Sequence, residues 1–199
     1  GMGTPREVVR LIGKPATQRM VGRKTLTDWT ERMQAFGVQR AQALAALDLH
    51  GFVFKRGSTS CGVLRVKLYD QNGVPSLIGR GLWSSAVNAR FPLLPLEEGG
   101  RLHDPRLREN FVERLFVYRR WTQVISEAPN MARLVAFHSA HKLTVLAHDP
   151  SRYRELGRIV AQVEPMPLPE RLARYGTLLM AALAVLSTPG RHANVLEHL

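Results

Sequence analysis

The chain is 199 residues long, with 45% apolar and 22% charged side chains, a composition that supports a buried core in one large domain or two small ones. Its 28 Lys and Arg against 16 Asp and Glu give a formal charge of +12, which favours polyanionic partners, nucleic acid first among them. A single cysteine excludes a disulfide framework and any multi-thiolate site built by this chain alone, and the longest apolar stretch, Gly176 to Leu186, is well short of the roughly 20 residues that span a bilayer.

With no charged-then-apolar leader, the expected setting is reducing and cytoplasmic, with no membrane partner. The cations are mostly Arg, Lys standing only at positions 14, 24, 55, 67 and 142. Arg suits phosphate and base recognition better than Lys does, although a GC-rich genome also enriches it.

In chain order, Val8 to Ile12 and Thr17 to Val21 flank Gly13-Lys14-Pro15-Ala16 and predict a hairpin. Thr25 or Thr27 is the expected N-cap of a helix running to about Leu49, with Trp29, Met33, Phe36, Ala43, Leu44 and Leu47 at helical spacing and Gly37 a weak point. A buried strand follows at 52–55. It ends at Gly57 and opens into Ser58-Thr59-Ser60-Cys61-Gly62, a small-residue loop with the only cysteine. That is where open-sheet α/β proteins place their chemistry; the plainer alternative is a free cysteine packed as a small hydrophobe.

Leu64 to Tyr69 alternates as a strand, Gln71-Asn72-Gly73 is a turn, and Gly79-Arg80-Gly81 precedes a short helix, Leu82 to Arg90. Phe91 to Gly100 reads as an irregular connection. Asp104-Pro105 starts a helix striped by Leu107, Phe111, Leu115, Tyr118, Trp121 and Ile125, with Val112 and Phe116 on a second stripe, so both sides are expected to be covered. Ala128-Pro129-Asn130 marks the boundary beyond which only helices are predicted. These are Met131 to His148, one from Asp149-Pro150 through Val163, one striped by Leu172, Tyr175, Leu179, Ala182 and Leu186, and a last from Arg191. Between the second and third lies a stiff connector, Glu164-Pro165-Met166-Pro167-Leu168-Pro169.

Two resemblances follow from these stretches. Gly3-Thr4-Pro5-Arg6, the Ser58 to Gly62 loop, Gly79-Arg80-Gly81-Leu82, Phe91-Pro92 through Glu97-Glu98, Arg101-Leu102, Asp104-Pro105 and Leu107 to Phe111 resemble the back half of the TudS-like desulfidases; Thr59 stands where that family usually has proline. Phe137-His138-Ser139-Ala140-His141-Lys142, Ala147-His148, Tyr153 to Gly157 and Asn194-Val195-Leu196 resemble the first part of the YbgA-like domain. The first resemblance implies an incomplete, Rossmann-like α/β domain over residues 1–127, the second an all-helical domain over 131–199, each truncated at one end.

The TudS-like resemblance implies a four-iron, four-sulfur cluster on three cysteines, with an open iron that takes sulfur from thiolated uracil, free or in tRNA. Cys61 matches one ligand, and the family's other two precede the segment at which this sequence begins. These 199 residues alone are therefore expected to carry no cluster and no desulfidase activity. Ser58 or Ser60 would handle a proton or position substrate, and Arg56, Arg65 and Arg80 would grip RNA. The alternative is a nucleic-acid-associated binding module without catalysis, resting on the YbgA-like part and the charge. A metal reading rests on His138, His141 and His148, which lie within about 80° on one helix face at roughly 100° per residue. Histidines on an apolar face are more often satisfied by packing than by metal, and Asp149, the one acid nearby, is better used as an N-cap.

Overall fold

The first predicted hairpin forms in the computed structural model, which describes residues 7–197. β1 (Val9–Ile12) pairs antiparallel with β2 (Arg19–Gly22), with a 3-10 turn over Pro15–Thr17. Gly3-Thr4-Pro5-Arg6 lies outside the described residues. α1 covers Thr30–Leu44, starting later and ending sooner than its apolar spacing predicts. The Asp28 carboxylate takes the capping role from the threonines, accepting the Thr30 N–H at 2.9 Å and the Thr30 hydroxyl at 2.5 Å. Those bonds and Arg19 hold the Asp28 carboxyl down at about 2. The Thr25 hydroxyl instead donates to Glu7 at 2.6 Å.

β3 (Phe52–Phe54), β4 (Val66–Tyr69) and β5 (Pro75–Gly79) come next. Then follow α2 (Leu82–Arg90), at the predicted bounds, and β6 (Leu96–Glu98), inside the stretch expected to be irregular. The strands form two small sheets. One has the order β2-β1-β4-β5, with β4 parallel to β1 and β5 antiparallel to β4; the other is the parallel pair β3-β6. β5 had no strand pattern because it is an edge strand, exposed at both Leu77 and Ile78. Leu11, Met20, Met33, Val66, Leu68 and Leu82 pack as the core of this unit, which runs to His103.

From Asp104 on, the second compact unit is helical: α3 (Pro105–Ser126), α4 (Met131–His148), α5 (Pro150–Val160), α6 (Leu168–Leu183) and α7 (Pro189–Leu196). Asp104, Asn130, Asp149 and Thr188 each cap the following helix by accepting a backbone N–H. α4 is the central helix, packed on α3, α5, α6 and α7. On α3 the second stripe is open, with Val112 and Phe116 exposed, while Val117, outside both stripes, is buried. No helix of the described residues is long and apolar enough to cross a membrane.

The Trp121 indole, 1% exposed, stacks on Tyr175 with centroids 5.2 Å apart and meets Phe137 edge-on at 5.4 Å. It lies so close to α6 that a methyl group on Gly176 would come within 2.7 Å of the indole nitrogen. Gly157, by contrast, has nothing within 4 Å of such a methyl group. Overpacking costs about 1–3 kcal/mol, more than the roughly 0.5–1 kcal/mol that alanine gains over glycine in a helix. Gly176→Ala is therefore expected to destabilise the chain and Gly157→Ala to stabilise it, as read from urea midpoints at unchanged slope. The same sign for both would contradict this packing.

Candidate active site

The loop after β3 is held by backbone bonds together with the side chains of Ser58, Ser84 and Glu98. Gly57 turns it with φ of +66°, a conformation that side chains resist. The Ser58 hydroxyl then accepts the N–H groups of Ser60 and Cys61, both at 3.2 Å, and the Ser58 carbonyl accepts that of Gly62 at 2.8 Å. The carbonyls of Thr59 and Ser60 face the start of α2, accepting from Leu82 at 3.3 Å, Trp83 at 2.8 Å and Ser84 at 3.3 Å. These bonds replace the side-chain cap that α2 lacks. Contact is so close that a methyl group on Gly81 would lie 2.3 Å from the Ser60 oxygen.

Two buried side chains fix the far end of the loop. The Ser84 hydroxyl, fully buried, lies 2.8 Å from the Gly62 carbonyl and 2.9 Å from that of Gly81. Glu98, 1% exposed, accepts the N–H groups of Val63 at 2.7 Å and Leu64 at 3.2 Å. Cys61 is thus held from both sides yet is only half-buried. It lines a cleft of 570 Å³ together with Met33, Phe36, Lys55, Arg56 and Trp83. Trp83 is itself held edge-on by Phe52 at 6.2 Å and Phe54 at 6.5 Å.

The structure brings Ser58, Ser60, Cys61 and Arg56 to this cleft and leaves Arg65 and Arg80 off its walls. The Ser58 hydroxyl oxygen accepts two loop N–H groups and so orders the turn that carries Cys61. Arg65 is exposed, with φ of +54°. Arg80 is half-buried; burial lowers its pKa, and its Nε has no hydrogen-bond partner. Sequence reasoning missed Lys55, Trp83, Ser84 and Glu98 as site residues. Lys55 could have been found beside Arg56. Nothing local marks Ser84 or Glu98 as buried, although Glu98 stands in a stretch that carries the TudS-like resemblance.

The three histidines of α4 have separate partners. His138 Nδ1 lies 3.1 Å from the Tyr175 hydroxyl, and His141 Nδ1 lies 2.8 Å from the Phe137 carbonyl beneath a stacked Phe137 ring. Burial lowers the pKa of both, helped by Lys142 at His138 and by Arg120 at His141, against the Phe137 bond. His148, 2% exposed, has an acceptor on each side: the Val185 carbonyl 2.5 Å from Nδ1 and a Glu113 carboxylate oxygen 2.7 Å from Nε2. Only the imidazolium donates to both. Burial opposes that charge and Arg191 adds to the opposition, but Glu113 and Val185 prevail and the pKa is raised. Among the described residues, no three His, Cys, Asp or Glu side chains gather as metal ligands would.

Residues 1–99 match the family model described as 2-thiouracil desulfurase, and residues 142–199 match that of a protein family of unknown function, DUF1722. Both agree with the resemblances read from the sequence. No curated protein and no solved structure matches the chain.

Two outcomes follow from this geometry. Ser84→Ala removes one buried hydrogen bond from carbonyls that keep backbone partners, Gly62 accepting the Gly81 N–H and Gly81 the Ser85 N–H, a loss of about 0.5–1.5 kcal/mol. It should also let iodoacetamide reach Cys61 faster; an unchanged alkylation rate would mean that Ser84 does not hold the loop. For His148, the folded pKa lies above the ordinary value near 6.5, so its stabilisation is full below about pH 6.5 and is lost as pH rises through the folded value. His148→Gln should flatten that part of the stability profile, measured by urea unfolding at several pH values.

Proposed function

The chain pairs a 2-thiouracil desulfurase region with a DUF1722 region, and on that footing we propose that it is part of a desulfidase that removes sulfur from thiolated uracil, as free base or within tRNA. The Cys61 cleft is the observation that carries the reading. A thiolated pyrimidine is flat and soft. Phe36 and Trp83 offer ring faces for it, Met33 a polarisable thioether, and Lys55 and Arg56 fixed positive charge for its anionic parts. Cys61 sits among them on a loop whose geometry is set by Ser58, Ser84 and Glu98.

The resemblance asks for a four-iron, four-sulfur cluster on three thiolates. These 199 residues contain one cysteine, and a single soft ligand does not hold such a cluster. The donor set of this chain therefore does not fit the group by itself. In the proposal Cys61 is one ligand, and two more thiolates come from outside these residues. Ser60 faces the same cleft as a candidate for proton handling.

The test uses a longer protein that includes two further cysteines, purified without oxygen. It is expected to bind iron and sulfide and to release sulfide from 2-thiouracil or a thiolated tRNA, and Cys61→Ala should lose both properties. A Cys61→Ala protein that kept its cluster would sink the ligand assignment. The 199-residue chain alone should take up no stoichiometric iron; if it did, the three-thiolate reading would be wrong.

A further inference from the structure

A second cleft, of 640 Å³, lies in the helical unit between α5, the Pro-rich connector and α6. Its volume is in the range of small-ligand sites. Arg154, Arg158, Arg171 and Arg174 line it, with Glu155 and Glu164. Both carboxylates are held by one guanidinium: Arg174 lies 2.9 Å from Glu164 and 3.5 Å from Glu155. Arg171, only 3% exposed, donates to the carbonyls of Ile159 at 2.6 Å, Glu164 at 3.0 Å and Met166 at 3.2 Å. No carboxylate among the described residues pairs with it, so those dipoles fix its position and leave its charge uncancelled. The guanidinium groups of Arg154 and Arg158, one turn apart on α5, have no hydrogen-bond or ion-pair partner among the described residues.

We propose that this cleft binds a phosphate group. Four guanidinia against two carboxylates leave two positive charges in a concavity that has apolar walls at Ile159, Val163 and Met166, where a field is focused rather than screened. One phosphate monoester dianion, or two neighbouring phosphodiesters of an RNA chain, balances two charges, and the planar fork of Arg matches the phosphate oxygens. No aromatic ring lines the cleft, so nothing there stacks a base, and recognition is of the phosphate itself. The ligand is a phosphate ester, carried by a free nucleotide or by an RNA chain. This inference needs neither Cys61 nor a cluster, and it stands or falls apart from the desulfidase reading.

The test compares two double variants of the 199-residue chain that change charge equally: Arg154→Glu with Arg158→Glu in the cleft, and Arg119→Glu with Arg120→Glu on the exposed surface of α3. Affinity for a short single-stranded RNA at low salt should fall about tenfold or more in the cleft variant and about twofold or less in the control. The milder pair Arg154→Gln with Arg158→Gln, which keeps the helix intact should the reversal unfold it, should reduce the slope of log affinity on log salt by about 1.4, the value for two lost phosphate contacts to a single strand. Pyrophosphate and uridine monophosphate are titrated in parallel. Binding of either to the wild-type chain with displacement of RNA assigns the cleft to free phosphate esters, and RNA binding that neither displaces assigns it to the RNA backbone. Equal losses in the two reversal variants, or an unchanged salt slope in the glutamine pair, would overturn the proposal.

Discussion

The N-terminus of α2 governs the architecture around Cys61. A helix begins with N–H groups that have no intrahelical acceptor, and this one has glycine, not a hydroxyl or carboxylate side chain, at its N-cap. The carbonyls of Thr59 and Ser60 answer that need. A buried donor left unmet costs about 1–3 kcal/mol, and three are served here. Freeing the loop would forfeit several kcal/mol, so the helix start and the loop conformation are tied to each other. Gly81 makes the approach sterically possible. The positive end of the helix dipole consequently points at the turn that presents the thiol.

The same use of backbone as counter-charge recurs at three buried ionisable groups. Glu98 is met by two N–H groups and Arg171 by three carbonyls; His148 is met by one carbonyl and one carboxylate. Peptide dipoles already fixed by the fold lose little further solvation when they meet a charge, whereas a second buried ion carries its own desolvation cost. Each such charge also ties a segment that has little apolar surface of its own. Glu98 holds the residues after Cys61. Arg171 gathers the end of α5 and the connector, so the connector's course is set by one guanidinium as well as by its prolines.

Elements written in local chemistry were legible from the residues. Asn130 and Asp149 bracket α4, and Gly81 and Arg90 bracket α2, and both helices fall where those signals put them. The order of mixed strands and helices followed by helices alone was legible for the same reason, but the compact helical unit begins at Asp104 and takes in α3, not at the Ala128-Pro129-Asn130 boundary read from the sequence. β6 was not, because Leu-Glu-Glu becomes a strand only by pairing with β3, more than forty residues earlier, and its two glutamates are buried against composition. In the site, Cys61 and its loop stood out through their small residues. Ser84 and Glu98 did not, since their importance lies in which backbone atoms they meet after folding. Phe36 shows a further limit: it keeps helical spacing with Met33, yet one lines a cleft at 40% exposure while the other also fills the core. An apolar stripe distinguishes a covered face from a solvated one, not a core from the wall of a cleft.

The charge of +12 likewise separates into unlike parts once its residues are placed. Lys55 and Arg56 border a cleft walled by Phe36, Trp83 and Met33. Dispersion and apolar burial against such walls do not depend on ionic strength, whereas the attraction of the two cations does. The α5–α6 cleft has no ring, so attraction within it is Coulombic and shrinks with the Debye length as salt rises. Arg80 differs again: half-buried, it follows the edge strand β5 and contributes to neither cleft. A composition that reads as one uniform positive charge divides, in the folded chain, between an Arg-lined cleft without rings in one unit and two cations bordering a ring-walled cleft in the other.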